Sequence, residues 1–169
     1  GCDTNEESKQ NVDDRDDYVA VGIMLGDCQA WMRSGRDGRV IKVSSGERED
    51  VHDPAMPAGW LGDAGNPEDA RLFFLSMKTG DILLLMTDGI TDNINVDDLR
   101  DFSNVLDLDL SENPSRLATP ILNAAFKKVA PITKWMTENS RGRPPPEIAG
   151  LGKVDDMGIA AARPVRIPL

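Results

Sequence analysis

The stretch LLLMTDGITDN, residues 83–93, decides how the rest of the chain is read. Four large apolar residues, Leu83 to Met86, run straight into Thr87-Asp88-Gly89, and a second aspartate follows at Asp92. A short, uninterrupted apolar run bounded by a turn signal reads as a buried strand. Its abrupt end places a carboxylate, Asp88, at the strand's edge, in a turn where Gly89 lets the backbone fold tightly. An Asp-Gly after a strand also serves as a plain turn, and Asp92 is equally suited to cap a helix beginning near Val96.

Two other apolar stretches carry aspartates at an end. Residues 18–25, YVAVGIML, run into Gly26-Asp27, and residues 157–162 are preceded by Asp155-Asp156. If 157–162 lies antiparallel beside 81–87, Asp155 and Asp88 share one edge of a sheet, because an antiparallel neighbour starts where its partner stops. If the first strand ends at that edge too, Asp27 joins them, and Asp92 would face the same point from one helical turn beyond Asp88. Clustered carboxylates repel, and a divalent cation removes the conflict. Hard oxygen donors suit Mg²⁺ or Mn²⁺.

The remaining pattern is mixed. Ala30–Arg33 and Val40–Val43, separated by the turn-rich SGRDGR, suggest a hairpin or meander, and 71–77 and 81–87 read as strands joined by KTGD. Residues 44–70 are rich in Gly, Pro, Asp and Glu and read as a long loop, with a helical turn near Asn66–Ala70. Helices are expected over Val96–Phe102 and Asn113–Asn139. The second carries apolar residues at Leu117, Ile121, Leu122, Ala125, Phe126 and Val129, with breaks or kinks expected at Pro120 and Pro131. The segment 140–153 reads as loop. Residues 1–17 read as an acidic flexible arm, 18–165 as one domain and 166–169 as a tail.

The chain has 169 residues and a formal charge of −10. That charge argues against a nucleic-acid partner, which needs clustered Lys and Arg. Cys2 and Cys28 are the only cysteines and His52 the only histidine. The two cysteines cannot make a disulfide framework, a multi-histidine zinc site and a histidine-based triad are not expected within this chain, and an intracellular, reducing compartment is expected. No apolar run reaches membrane-spanning length. The opening Gly1 is consistent with a processed product or a piece of something longer.

These stretches resemble the later motifs of the metal-dependent protein phosphatases of type 2C. YVAVGIMLGDCQAWMRSGRDGRVIKVSSG is similar to the family's strand ending in Gly-Asp-Ser with its hairpin. TGDILLLMTDGITDNI is similar to its Ser/Thr-Asp-Gly element followed by Asp-Asn, and GLGKVDDMGIAAARPV to its closing Asp-Asn/Asp element and last strand. The long helical insert and the GLGKVDD return look closest to the organellar branch, which points to a mitochondrion or similar organelle. Gly1-Cys2 resembles a remnant of the family's Gly-Ser/Cys-Thr motif. The resemblance implies an α-β-β-α sandwich of two mostly antiparallel sheets flanked by helices, incomplete on its N-terminal side. It implies a dinuclear Mn²⁺ or Mg²⁺ site, with Asp88 and Asp155 at core ligand positions and Asp27 and Asp92 at those of a looser metal, supported by turns at Gly26 and Gly89. The implied chemistry is hydrolysis of phosphoserine or phosphothreonine in a phosphoprotein by a metal-activated water. No catalytic residue beyond the metal ligands is implied, which agrees with the lone His52.

Departures accompany the match. The first-half motifs of the family have no counterpart here. Cys28 stands where serine is usual, Gln29 where arginine is frequent, and Gly158 where Thr or Ser is usual. A catalytically inactive relative, held as a structural subunit among protein partners in a larger assembly, is the alternative expectation.

Overall fold

In the computed structural model, residues 17–44, 70–95, 97–99, 101, 113–139 and 142–165 are described. The arm up to residue 16, most of the 44–70 loop with His52, Cys2 and the tail 166–169 lie outside the described residues.

Among the described residues, six strands form two antiparallel sheets. β1 (Asp17–Met24) pairs with β4 (Arg71–Lys78) in a two-stranded ribbon. β2 (Gln29–Arg33), β3 (Val40–Ser44), β5 (Ile82–Met86) and β6 (Ile159–Ala162) make a four-stranded sheet in the order β3-β2-β5-β6. The class expected from the sequence, α+β with two antiparallel sheets and helices, is the class observed. Asp17, assigned above to the arm, opens β1.

β2 and β3 form the expected hairpin, with one register shift at Ala30/Trp31. β1 and β2 belong to different sheets, as do β4 and β5, so the two intervening turns are corners between sheets rather than hairpins. Asp81 fixes the second corner. It is buried, and its carboxylate accepts the backbone N–H of Lys78 at 2.7 Å and of Gly35 at 2.8 Å. That pair of bonds ties the β2–β3 turn to the β4–β5 turn, and a side chain at Gly35 would overlap the Gly80 carbonyl.

The main core lies on one face of the four-stranded sheet. The long helix α2 (Ser115–Glu138) buries Leu117, Ile121, Ala125, Val129 and Ile132. The first three join a cluster with Trp31, Ile82, Leu84 and Met86. Pro120 and Pro131 both lie inside this helix, which the chain traverses without interruption. Each removes one backbone bond at a cost of about 3 kcal/mol, and the apolar stripe at three- and four-residue spacing offsets that cost. The segment expected to be all loop contains one helical turn, α3 (Pro146–Ala149), started by Pro146, whose fixed φ suits a first helical position.

Continuous apolar composition conceals an alternation. In β5, Ile82, Leu84 and Met86 are buried while Leu85 is 39% exposed. In β1, Val19, Val21 and Ile23 all point outward, joined across the ribbon by Leu72 and Phe74, the last 71% exposed. The continuous apolar run of residues 18–25, which as sequence signals a buried strand, is therefore not buried on both faces. No helix among the described residues covers this outer face, so one helical layer of the expected sandwich is seen and the other is not.

Candidate functional site

The site lies where β5 ends and β6 begins. Thr87 closes β5 against the approach to β6: its N–H donates to the Gly158 carbonyl at 3.0 Å, and its Oγ1 accepts the Gly158 N–H at 2.9 Å. This lock sets the loop 153–158 beside the first turn of α1 (Asp88–Thr91). Gly89 is required there by close approach rather than by a special φ, because a Cβ would overlap the Asp156 carbonyl oxygen. The tight-turn role expected for glycine belongs instead to Gly26, whose φ is +80° in the bend before Asp27.

Asp88 opens α1, and Asp92 is its C-cap, with its N–H donating to the Asp88 carbonyl at 2.8 Å. Asp92 is thus no N-cap. That role falls to Asn95, whose Oδ1 accepts the N–H groups of Asp97 and Asp98 while Asp98 Oδ2 accepts the Asn95 N–H in return, a reciprocal capping box. Residues 97–99 and 101 are helical, in keeping with the helix expected there.

Asp88, Asp92 and Asp155 come together, and what they meet is a lysine. Lys153 Nζ lies 2.7 Å from Asp88 Oδ2, 2.9 Å from Asp155 Oδ2 and 3.3 Å from Asp92 Oδ2. The group is partly buried, with the Lys153 side chain 28% exposed. Partial burial disfavours the ammonium. Hydrogen bonds to Asp88 and Asp155, the charge of Asp88 and the bond to Asp92 outweigh it and raise the lysine well above its ordinary pKa. Reciprocally, the Lys153 bond, followed by the N–H of Asp156, holds the Asp155 carboxyl below the usual carboxylate range.

Asp27 reaches the same end of the sheet through β2 rather than through the ribbon. Gln29 pairs with Met86, so two further residues along each strand bring Asp27 level with Asp88. Both lie close enough to Cys28 to act on it: burial first, then the charges of Asp27 and Asp88, pushes the Cys28 thiol up. Burial and adjacent negative charge both disfavour the thiolate, the nucleophilic form of a cysteine.

The backbone of Lys153 is held by Asn93, a buried side chain that sequence reasoning passed over. Asn93 Nδ2 donates to the Gly89 carbonyl at 2.7 Å and the Lys153 carbonyl at 2.8 Å, and its Oδ1 accepts the Lys153 N–H at 3.0 Å. Gly152 makes room, since a Cβ there would overlap Asn93 Oδ1. Lys153 was also passed over. The available signal was electrostatic: a lone basic residue two positions before Asp155-Asp156, in a loop expected to carry carboxylates to a shared edge.

The donor set fits a hard divalent cation, because three carboxylate oxygens already converge on one cationic atom, the lysine nitrogen. The fit is to the set and not to its present spacing. Among the described residues, no group of three or more His, Cys, Asp and Glu side chains is disposed to hold a metal ion directly. Mg²⁺–oxygen distances are about 2.0–2.1 Å, so oxygens now 2.7–3.3 Å from Nζ would have to close inward once the ammonium left.

Comparison with solved structures places the fold. The photosystem II phosphatase PBCP matches with a TM-score of 0.59 and 18% identity, over 87% of this chain and 59% of that one. The S. agalactiae serine/threonine phosphatase matches at 17% identity and a TM-score of 0.48, over 63% of this chain and 49% of that one. The Mycobacterium tuberculosis serine/threonine phosphatase PstP/Ppp matches at 16% identity and 0.44, over 63% and 50%. The chain thus shares the fold of PBCP and spans about 59% of its length. No protein-family model and no curated protein sequence matches the chain. Among the described residues, no helix is long and apolar enough to cross a membrane.

Proposed function

We propose that the chain is the later portion of a type 2C, metal-dependent protein phosphatase domain acting on phosphoserine or phosphothreonine. One observation carries this: Asp88 and Asp92, from the end of β5, and Asp155, from the approach to β6, meet at one sheet edge around a single positive charge. Asp88, Asp155 and Asp92 would hold a divalent ion, Mn²⁺ or Mg²⁺, with Asp27 close by. When bound, such an ion lowers the pKa of a coordinated water and offsets charge on phosphoryl oxygens. The chain's own contribution is to bring the carboxylates together through the Thr87–Gly158 lock and the Asn93 clamp.

A second function is supported by the lysine itself. With Lys153 bonded to all three carboxylates, the cluster is held together without any added ion, as a structural subunit that does no hydrolysis would need. The test is hydrolysis of p-nitrophenyl phosphate with Mn²⁺. The catalytic proposal expects turnover that Asp88→Asn abolishes. Turnover indistinguishable from the Asp88→Asn variant would favour the structural role. The organellar relationship, the phosphoprotein substrate and an organellar location belong to the same proposal and rest on the GLGKVDD resemblance.

A further inference from the structure

Lys153 stands at the centre of the acidic cluster rather than at its rim. Its nitrogen contacts one oxygen from each of Asp88, Asp92 and Asp155, at 2.7, 3.3 and 2.9 Å. An ammonium has three N–H donors, and three acceptors surround this one. Its main chain is fixed independently, by the Asn93 clamp at both N–H and carbonyl. The backbone anchor is therefore held separately from the ammonium, whose side chain is 28% exposed and lies within reach of solvent.

We propose that Lys153 is a tethered counter-ion whose ammonium and a divalent cation occupy the carboxylate cluster in mutual exclusion. This rests on the assignment of Asp88, Asp92 and Asp155 as cation ligands. A single ammonium and a divalent ion cannot share these oxygens, since each carboxylate would have to approach a smaller ion by roughly 0.6 Å or more from its lysine distance. Repulsion between the two cations opposes joint occupancy as well. The tether gives the ammonium a high effective concentration at the cluster, so it competes continuously with free cation. Its consequence is a raised threshold: the cluster takes up divalent metal only when the ion's concentration is high enough to expel the lysine. Without metal, the ammonium prevents the three carboxylates from forcing the edge apart.

The experiment is Mn²⁺ binding to the whole chain, followed by the paramagnetic resonance signal of free Mn²⁺, in wild type and Lys153→Met. The variant is expected to bind Mn²⁺ at least about tenfold tighter, and its melting temperature should rise more steeply with added Mn²⁺ than that of wild type. Equal affinities would overturn the inference while leaving the ligand assignment intact. Weaker binding by the variant would overturn it in favour of a lysine that positions the ligands. Failure of either protein to bind Mn²⁺ would remove the ligand assignment itself, and the inference with it.

Loss of the ammonium leaves three crowded carboxylates, so a second measurement uses wild type alone. Acetylation of Lys153 by acetic anhydride, quantified by peptide mass spectrometry, should accelerate several-fold on addition of Mn²⁺ as the amine is expelled. The rates at Lys127 and Lys134, exposed on α2, serve as the reference. A rate at Lys153 unchanged by Mn²⁺ concentrations that saturate binding would also overturn the proposal.

Discussion

Replacing Asn93 by alanine removes the clamp on Lys153 and gives the most direct test of how this edge is built. The side chain is 4% exposed and makes three hydrogen bonds, to the Gly89 carbonyl and to both backbone groups of Lys153. The Gly89 bond is fully buried, and an orphaned carbonyl there costs about 1–3 kcal/mol. The two Lys153 bonds are partly buried, so water can take over part of their role, and each contributes about 0.5–1 kcal/mol. The total is about 2–5 kcal/mol, or a fall of roughly 4–20 °C in melting temperature for a domain of this size. Urea unfolding followed by circular dichroism at 222 nm, which reports chiefly on α2, gives the first quantity. Amide hydrogen exchange gives a local one, since the Lys153 N–H should lose protection to the level of an exposed loop. A stability change under about 1 kcal/mol, with the Lys153 amide still protected, would refute the clamp.

Gly89→Ala should be destabilising by more than about 2 kcal/mol in thermal melts, because its Cβ meets backbone at Asp156 rather than a side chain able to move aside. Wild-type stability in this variant would show that the 155–158 loop yields freely. Asp81→Asn turns one of two acceptors into a donor facing the N–H of Gly35 or Lys78, and should cost about 1–3 kcal/mol in urea titrations. Asp98 supplies a pH signature. The Asn95 N–H, then Lys128, hold its carboxyl below the usual range. A depressed pKa means the stabilisation is present above the unfolded value of about 3.9 and is lost as pH falls through the folded value. Asp98→Asn should therefore flatten the acid limb of the stability curve, while Lys128→Ala, at an exposed pair, should change it far less.

The edge itself was legible because its signals are local. An apolar run ending in Asp-Gly, and another beginning after Asp-Asp, specify where two strands stop and start, and antiparallel pairing aligns those ends. The allocation of strands to sheets was not legible. β1 and β5 look alike as apolar strings, yet β1 joins β4 in a separate ribbon and turns Val19, Val21 and Ile23 outward. Nothing in an unbroken hydrophobic string marks which alternate residues face the core. The uninterrupted path of α2 through Pro120 and Pro131 was hidden for the opposite reason, since tertiary packing overrode a strong local preference. Lys153 and Asn93 escaped notice because their roles exist only once residues about sixty positions apart are brought into contact.

The outward ribbon face also governs how the chain behaves in solution. Val19, Val21, Ile23, Leu72 and Phe74 form one continuous oily stripe on a molecule with a formal charge of −10. In dilute buffer, like charge keeps two such stripes apart. The screening length shrinks from about 30 Å at 0.01 M salt to about 3 Å at 1 M, and sulfate strengthens apolar association further. Colloidal stability should accordingly be greatest at low ionic strength and collapse on salting, with Phe74→Ser restoring clarity where changes elsewhere on the acidic surface would not.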